Sequence, residues 1–228
     1  MRLSWWKLTA MILVGYAVIG GLLLPVPELT QLGETIRNLY YHVCMWFSMM
    51  ILYTLSIIHS IKYLNKGNLL HDNKAKSYAG MGTFMGILGY ATGAIWASFT
   101  WADPNNPAYA SFGSIMREPK LIGAAIALLI YGAYFILRNS ILDEDQRARV
   151  SSVYNVFAYA MLFPSIWIIP RLLPSLHPGQ EGNPALNFND IDARMRMVFY
   201  PAVLGWTLLG VWIAQLHIRL NIINEKKG

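Results

Sequence analysis

Six uninterrupted apolar stretches, at roughly residues 8–25, 40–61, 78–99, 121–137, 150–170 and 197–218, dominate this chain. Each is about the 17–25 residues that a helix needs to cross a hydrocarbon core of about 30 Å. Inside lipid the backbone must satisfy its own hydrogen bonds, so apolar runs of this length read as helices. The expected fold is therefore all-α and integral to a membrane, with six transmembrane helices. Only 13% of the residues are charged, against about 25% in soluble domains. The stretches use more than half of the 228 residues, leaving no connection long enough for a separate soluble domain of the usual size. Residues 1–228 read as one six-helix membrane domain, and any function belongs to the bundle or its loops.

Basic residues sort between the two sides. Twelve of the eighteen Lys and Arg, with five acids, fall on the side that holds both termini and the connections containing Lys62 to Lys76 and Arg138 to Arg149. The other side holds Arg37, Arg117, Lys120, Arg171, Arg194 and Arg196, with seven acids. By the positive-inside rule both termini are expected in the cytoplasm, and the connections 26–39, 100–120 and 171–196 outside. The basic balance thus reads as topology. A nucleic-acid role would need a continuous basic face with aromatics, and the sequence has none. The first stretch follows Arg2 and Lys7 but ends in Leu-Pro-Val-Pro-Glu without a small-residue cleavage pattern, so it reads as a retained helix. Cys44, the single cysteine, excludes an internal disulfide, a Cys-x-x-Cys pair and covalent haem attachment through Cys-x-x-Cys-His.

The outer connections carry the unusual residues. His42 opens the second stretch at its outer end, with Trp46 one helical turn on and Arg37 just before it. His177 lies in the long loop 171–196, between Pro174 and Pro178, whose fixed backbone angles limit where it points. An ionisable side chain at the membrane boundary suggests a functional site. Two such histidines on one side suit a single metal, for which neutral imidazole is a good ligand. Zinc or copper would call for a third or fourth close ligand. Haem instead needs flat aromatic surface, for which Trp96 and Trp101 are candidates, and cations for its propionates, for which Arg37 and Lys120 are candidates. The competing reading of the tryptophans is an interfacial aromatic belt. Of the other histidines, His59 is expected to bond a neighbouring helix, and His71 and His217 to be interfacial. Gly82 with Gly86, and Gly89 with Gly93, have the small-xxx-small spacing of closely packed helices.

"IRNLYYHV" (36–43), "ATGAIWASFTW" (91–101), "AAIALLIYGAYFILR" (124–138), "LPSLHP" (173–178) and "RMRMVFYPAVLGWTLLG" (194–210) resemble the CcmC/CcsA family of haem-handling proteins, specifically its CcmC-type branch. The likeness covers nearly the whole chain in order. It implies a protein of the bacterial inner membrane with a periplasm-facing site that binds haem b transiently and without covalent attachment. His42 and His177 correspond to the family's two outer histidines, the axial ligands of the iron, and Arg37 to its arginine before the first of them. The implied partners are a haem chaperone of CcmE type, ABC transporter subunits of CcmA/CcmB type and a small single-helix CcmD-type protein. The implied role is haem delivery for cytochrome c maturation rather than catalysis. Where the family's loop continues into a denser tryptophan run ending in Trp-Asp-x-Arg, this chain has "ADPNNPAYASFGSIMREPK". Tyr109, Phe112 and Met116 are its large apolar residues, with Glu118 and Lys120 in the acidic and basic places. Two rival readings are a b-type cytochrome subunit in quinone-linked electron transfer and a scaffold subunit without haem.

Overall fold

The computed structural model describes residues 4–30, 32–107, 109–173, 175 and 191–225. Every regular element among them is helical. Six long helices account for most of the chain: α1 (Trp5–Leu23), α2 (Leu39–Lys66), α3 (Leu69–Thr100), α4 (Pro119–Ser140), α5 (Glu144–Leu162) and α6 (Ala193–Glu225). A 3-10 helix (Gly33–Asn38) leads into α2, and a single turn (Phe112–Ile115) precedes α4. Beyond α5 the chain continues as a π-helical turn (Phe163–Ile168) and a 3-10 turn (Ile169–Arg171).

Each of the six apolar stretches falls in one of these helical segments. Four are long and apolar enough to cross a membrane: α1, α2 with its 3-10 lead-in, α4 and α6. The other two are diluted for visible reasons. Helix α3 opens on "LLHDNKAKS" and spends much of its apolar half on glycine, while α5 opens on "EDQRAR". An apolar helical bundle of this kind is a membrane protein.

Helices α2 and α3 form an antiparallel hairpin closed by two residues. Gly67, at φ 65°, caps α2 in the left-handed region that glycine tolerates, and its N–H donates to the Tyr63 carbonyl at 2.7 Å. Asn68 then caps α3 by accepting from the Leu70 N–H at 2.9 Å. Up the hairpin, four glycines of α3 meet four large side chains of α2. Gly82 faces Tyr53, Gly86 faces Met49, Gly89 faces Trp46 and Gly93 faces His42. A Cβ added at Gly82 would stand 2.8 Å from the Tyr53 ring, at Gly86 2.7 Å from Met49 Sδ, and at Gly89 3.2 Å from the Trp46 ring. The approach exists only because those positions lack side chains. Lipid offers helices no hydrophobic reason to associate, so close dispersion contact of this kind is what holds them.

Polar groups in the bundle find partners across helices, as burial in an apolar medium demands. Asn155 of α5 donates to the hydroxyls of Ser56 (2.7 Å) and Ser60 (2.8 Å) on α2, and Ser56 donates to the Ala75 carbonyl of α3. Tyr53 stacks on Tyr131 of α4 with ring centroids 3.6 Å apart and bonds the Thr83 hydroxyl at 3.0 Å. Pro201 lies inside α6 and has no N–H to offer the carbonyl four residues before it. That carbonyl, Met197 O, accepts instead from the Tyr16 hydroxyl of α1 at 3.2 Å. Lys7, at the other end of α1, is buried between the rings of Trp6 and Trp212, 5.7 and 5.3 Å from their centroids. At that same end, Arg138 of α4 makes a buried two-pronged pair with Asp72 in the first turn of α3, Nη1 to Oδ1 being 2.7 Å.

Arg138→Leu leaves the Asp72 carboxylate buried without its partner. It should lower stability by about 3–5 kcal/mol, the range for breaking a buried pair from one side. A fall in the thermal unfolding midpoint in detergent, largely recovered in the Asp72→Leu/Arg138→Leu double variant, is the expected result.

Candidate functional site

His42 sits in the first turns of α2 with only 8% of its surface exposed. Its Nδ1 lies 2.8 Å from the Gly89 carbonyl oxygen of α3. A carbonyl can only accept, so Nδ1 carries the proton and Nε2 keeps its lone pair. That is the tautomer of a histidine held ready as a ligand. The ring is gripped further by the edges of Trp46 and Trp96, at centroid distances of 6.2 and 6.0 Å, and by the bare backbone of Gly93 pressed against it.

Trp96 belongs to the same face. Its Nε1–H donates to the Thr35 hydroxyl at 3.0 Å, which fixes the indole against the 3-10 helix. Beside it runs an open groove of about 360 Å³ between α2, α3 and the 3-10 helix. One part of its wall is apolar, with Tyr41, Ile95, Trp96 and Phe99; the other is polar, with Glu34, Thr35, Arg37, Asn38 and Thr92. Phe99 and Ile95 are exposed, so the apolar part faces outward from the bundle. Arg37 is already occupied on two of its nitrogens. Nε pairs with Glu34 at 2.6 Å, and Nη1 donates to the carbonyls of Gly21 (2.9 Å) and Leu24 (2.6 Å). It thus satisfies carbonyls that the end of α1 leaves without helical partners.

Trp101 goes elsewhere. Five residues at 3.6 per turn place it about 140° around the helix from Trp96. It packs with Ala97, Ile115, Leu121, Tyr90, Tyr109 and Met116, on the α4 side of α3. Of the three large loop residues, Tyr109 and Met116 join this cluster, while Phe112 is exposed. The Tyr109 phenol is pushed up from its ordinary range by burial and, less strongly, by the charge of Glu118. Glu118, at the N-cap position of α4, is buried and accepts from the Ser175 hydroxyl at 2.8 Å. Lys120, half-buried in the first turn of α4, lies where the charges of Arg171 and Glu118 both reach it. Arg171 itself lies over the Trp167 ring, 4.9 Å from its centroid.

The structure therefore brings His42, Trp96 and Arg37 to one side of α3, and Trp101 and Lys120 to another. His177 lies outside the described residues; Ser175, two residues before it, is fastened to Glu118. Sequence reasoning missed the Gly89 carbonyl as the partner of His42, Thr35 as the partner of Trp96, and the burial of Glu118. The glycine spacing was the one signal for the first of these. At the opposite end of the bundle, His59 does bond a neighbouring helix: its Nδ1 is 3.0 Å from that of His71 in α3. The two rings stack side by side, 5.3 Å apart at 26°. Nitrogens this close do not bracket a haem iron, which needs a metal–imidazole bond of roughly 2 Å on each of two opposite sides.

The fold and site define a helical membrane protein that offers a preset, metal-ready imidazole at one end of its bundle, beside an aromatic groove. Over residues 1–228 the chain matches Heme exporter protein C (CcmC) and belongs to that family, whose members handle haem in cytochrome c maturation. No individually curated protein matches it.

Two predictions follow from this geometry. Gly93→Ala puts a methyl group into the His42 ring, so bound haem should fall at least tenfold in purified protein, read from the absorbance ratio of haem to protein, with helix content by circular dichroism unchanged. The second concerns His71, whose imidazole is held below its ordinary range by burial and by Lys74, Lys62 and Lys66. The unfolded chain then binds that proton more readily than the folded one, so stability is intact above pH of about 6.5 and is lost as pH falls below it. The unfolding midpoint in detergent should drop between pH 7.5 and 5.5, and less steeply in His71→Gln.

Proposed function

We propose that the chain binds haem as cargo, non-covalently, at the end of the bundle that carries His42, and passes it to a haem chaperone of CcmE type. One observation carries this reading: His42 Nδ1 is fixed on the Gly89 carbonyl, so Nε2 is the free donor. In this reading His42 and His177 are the two axial ligands of haem b. Trp96 and the groove beside it supply flat apolar surface, and Trp101 borders the same loop from the far side of α3. Arg37 meets one propionate through Nη2, the terminal nitrogen not engaged by Glu34 or α1, and Lys120 meets the other.

Ligation by two neutral imidazoles, with no thioether bond, suits a protein that must release its haem. The separation of basic residues supports placing this end toward the periplasm and both termini in the cytoplasm, with six helices crossing the bacterial inner membrane. CcmA/CcmB-type transporter subunits and a CcmD-type single-helix protein are the partners that family membership suggests.

The test is spectroscopic. Purified wild type supplied with hemin should show the absorption of six-coordinate bis-histidine haem. The His42→Ala/His177→Ala double variant should lose most of that band, and each single variant should shift it. A band unchanged in the double variant overturns the ligand assignment, and wild type that takes up no haem favours a scaffold role.

A further inference from the structure

A cavity of about 410 Å³ opens at the opposite end of the bundle from His42, where the first turns of α3 and α5 meet the ends of α4 and α6. Its size falls within the ~300–1,000 Å³ typical of small-ligand sites. Three cations line it: Lys76, Arg138 and Arg147. The two carboxylates on its wall are both engaged. Asp72 is closed off by the two-pronged contact with Arg138, and Glu144 pairs with Arg147 at 3.7 Å. The remaining polar wall is carboxamide, from Asn73, Asn139, Asn221 and Asn224. It is rich in donors, while its strongest acceptors are taken.

Asn73 sharpens this. Its Oδ1 accepts from Asn221 Nδ2 at 2.9 Å and from the Ser77 hydroxyl at 3.5 Å, which fixes which way the amide faces. Its Nδ2 is buried and has no hydrogen-bond partner among the described residues, though only 7% of the residue is exposed. A buried donor without an acceptor is costly, and a ligand oxygen would remove the cost. The rim is of a different character. Leu69, Ile141 and Leu142 border the same cavity, and Leu142, in the turn between α4 and α5, is 94% exposed. A bare leucine next to cations at the end of a membrane bundle marks the depth at which headgroups give way to acyl chains.

We propose that this cavity is a phosphate site, filled by the headgroup of an anionic phospholipid whose acyl chains lie along the Leu142 rim. Lys76 and Arg147 supply the charge attraction and Asn73 Nδ2 the buried hydrogen bond. Basic pockets between transmembrane helices are suited to such headgroups. The proposal is independent of the haem reading, because no residue is shared between the two sites.

The test uses delipidated full-length protein in detergent, titrated by native mass spectrometry with dioleoylphosphatidylglycerol and, separately, dioleoylphosphatidylcholine. The anionic lipid should bind at least fivefold more tightly. Lys76→Ala/Arg147→Ala should abolish the preference, and Lys66→Ala, a basic residue of the same end outside the cavity, should keep it. Asn73→Leu, which leaves every charge in place, should weaken the anionic lipid at least threefold, and it serves if the double variant does not fold. A second arm adds millimolar inorganic phosphate and follows the unfolding temperature. Stabilisation by phosphate that is lost in the double variant, without a lipid preference, assigns the same chemistry to a soluble phosphate. Equal binding of the two lipids with no effect of phosphate, or a preference that survives both the double variant and Asn73→Leu, overturns the proposal.

Discussion

The contact on which the rest depends is the antiparallel register between α2 and α3, in which glycines 93, 89, 86 and 82 receive His42, Trp46, Met49 and Tyr53. In water such a hairpin would be held chiefly by exclusion of solvent; in lipid that force is missing, and contact at short range must replace it. The last pair in the series holds the histidine. The ring stays buried, and its hydrogen bond reaches the Gly89 carbonyl, because the helix backbone there is bare. Packing and ligand presentation are thus one arrangement, and a change that loosens the first also disturbs the second.

Around that hairpin the structure answers a repeated demand for hydrogen-bond partners. The carbonyl freed by Pro201 is met by a tyrosine from another helix, the end of α1 by an arginine from the 3-10 helix, and the Asn155 amide by two serines. Each solution also ties two elements together. Arg37 shows how this bears on function: the cation suited to a propionate is also the fastener of α1, so whatever binds there reports on the packing of the first helix.

Much of the fold was legible because a membrane restricts the menu. All six apolar stretches lie in helical segments, and the glycine spacing of α3 read correctly as packing. Boundaries were less visible. Helix α3 begins at Leu69 rather than near residue 78, since His71, Asp72 and Lys74 are as compatible with helix as with loop once they lie beyond the apolar core. The number of crossings was also less legible, because glycine and polar first turns lower the hydropathy of α3 and α5 without ending their helices. At the site, His42, Trp96 and Arg37 were found from residue type and spacing. Grouping Trp101 with Trp96 ignored the helical phase, since five residues do not return to the same face. The partner of His42 is a backbone carbonyl, and main-chain atoms leave no mark on sequence composition.

The π-helical turn at Phe163–Ile168 has a geometric consequence for the α4 side of the bundle. A turn of this kind accommodates one residue more than an α-helical turn. Everything after it, including Trp167 near its end and Arg171 in the following 3-10 turn, is therefore offset by about 100° from where a continuous α-helix would carry it. That offset is what swings the guanidinium of Arg171 onto the side where Lys120 stands. The concentration of positive charge beside Glu118 is set by the phase of a helix, so a single-residue deletion within the turn would disperse it while leaving every charged side chain in the sequence.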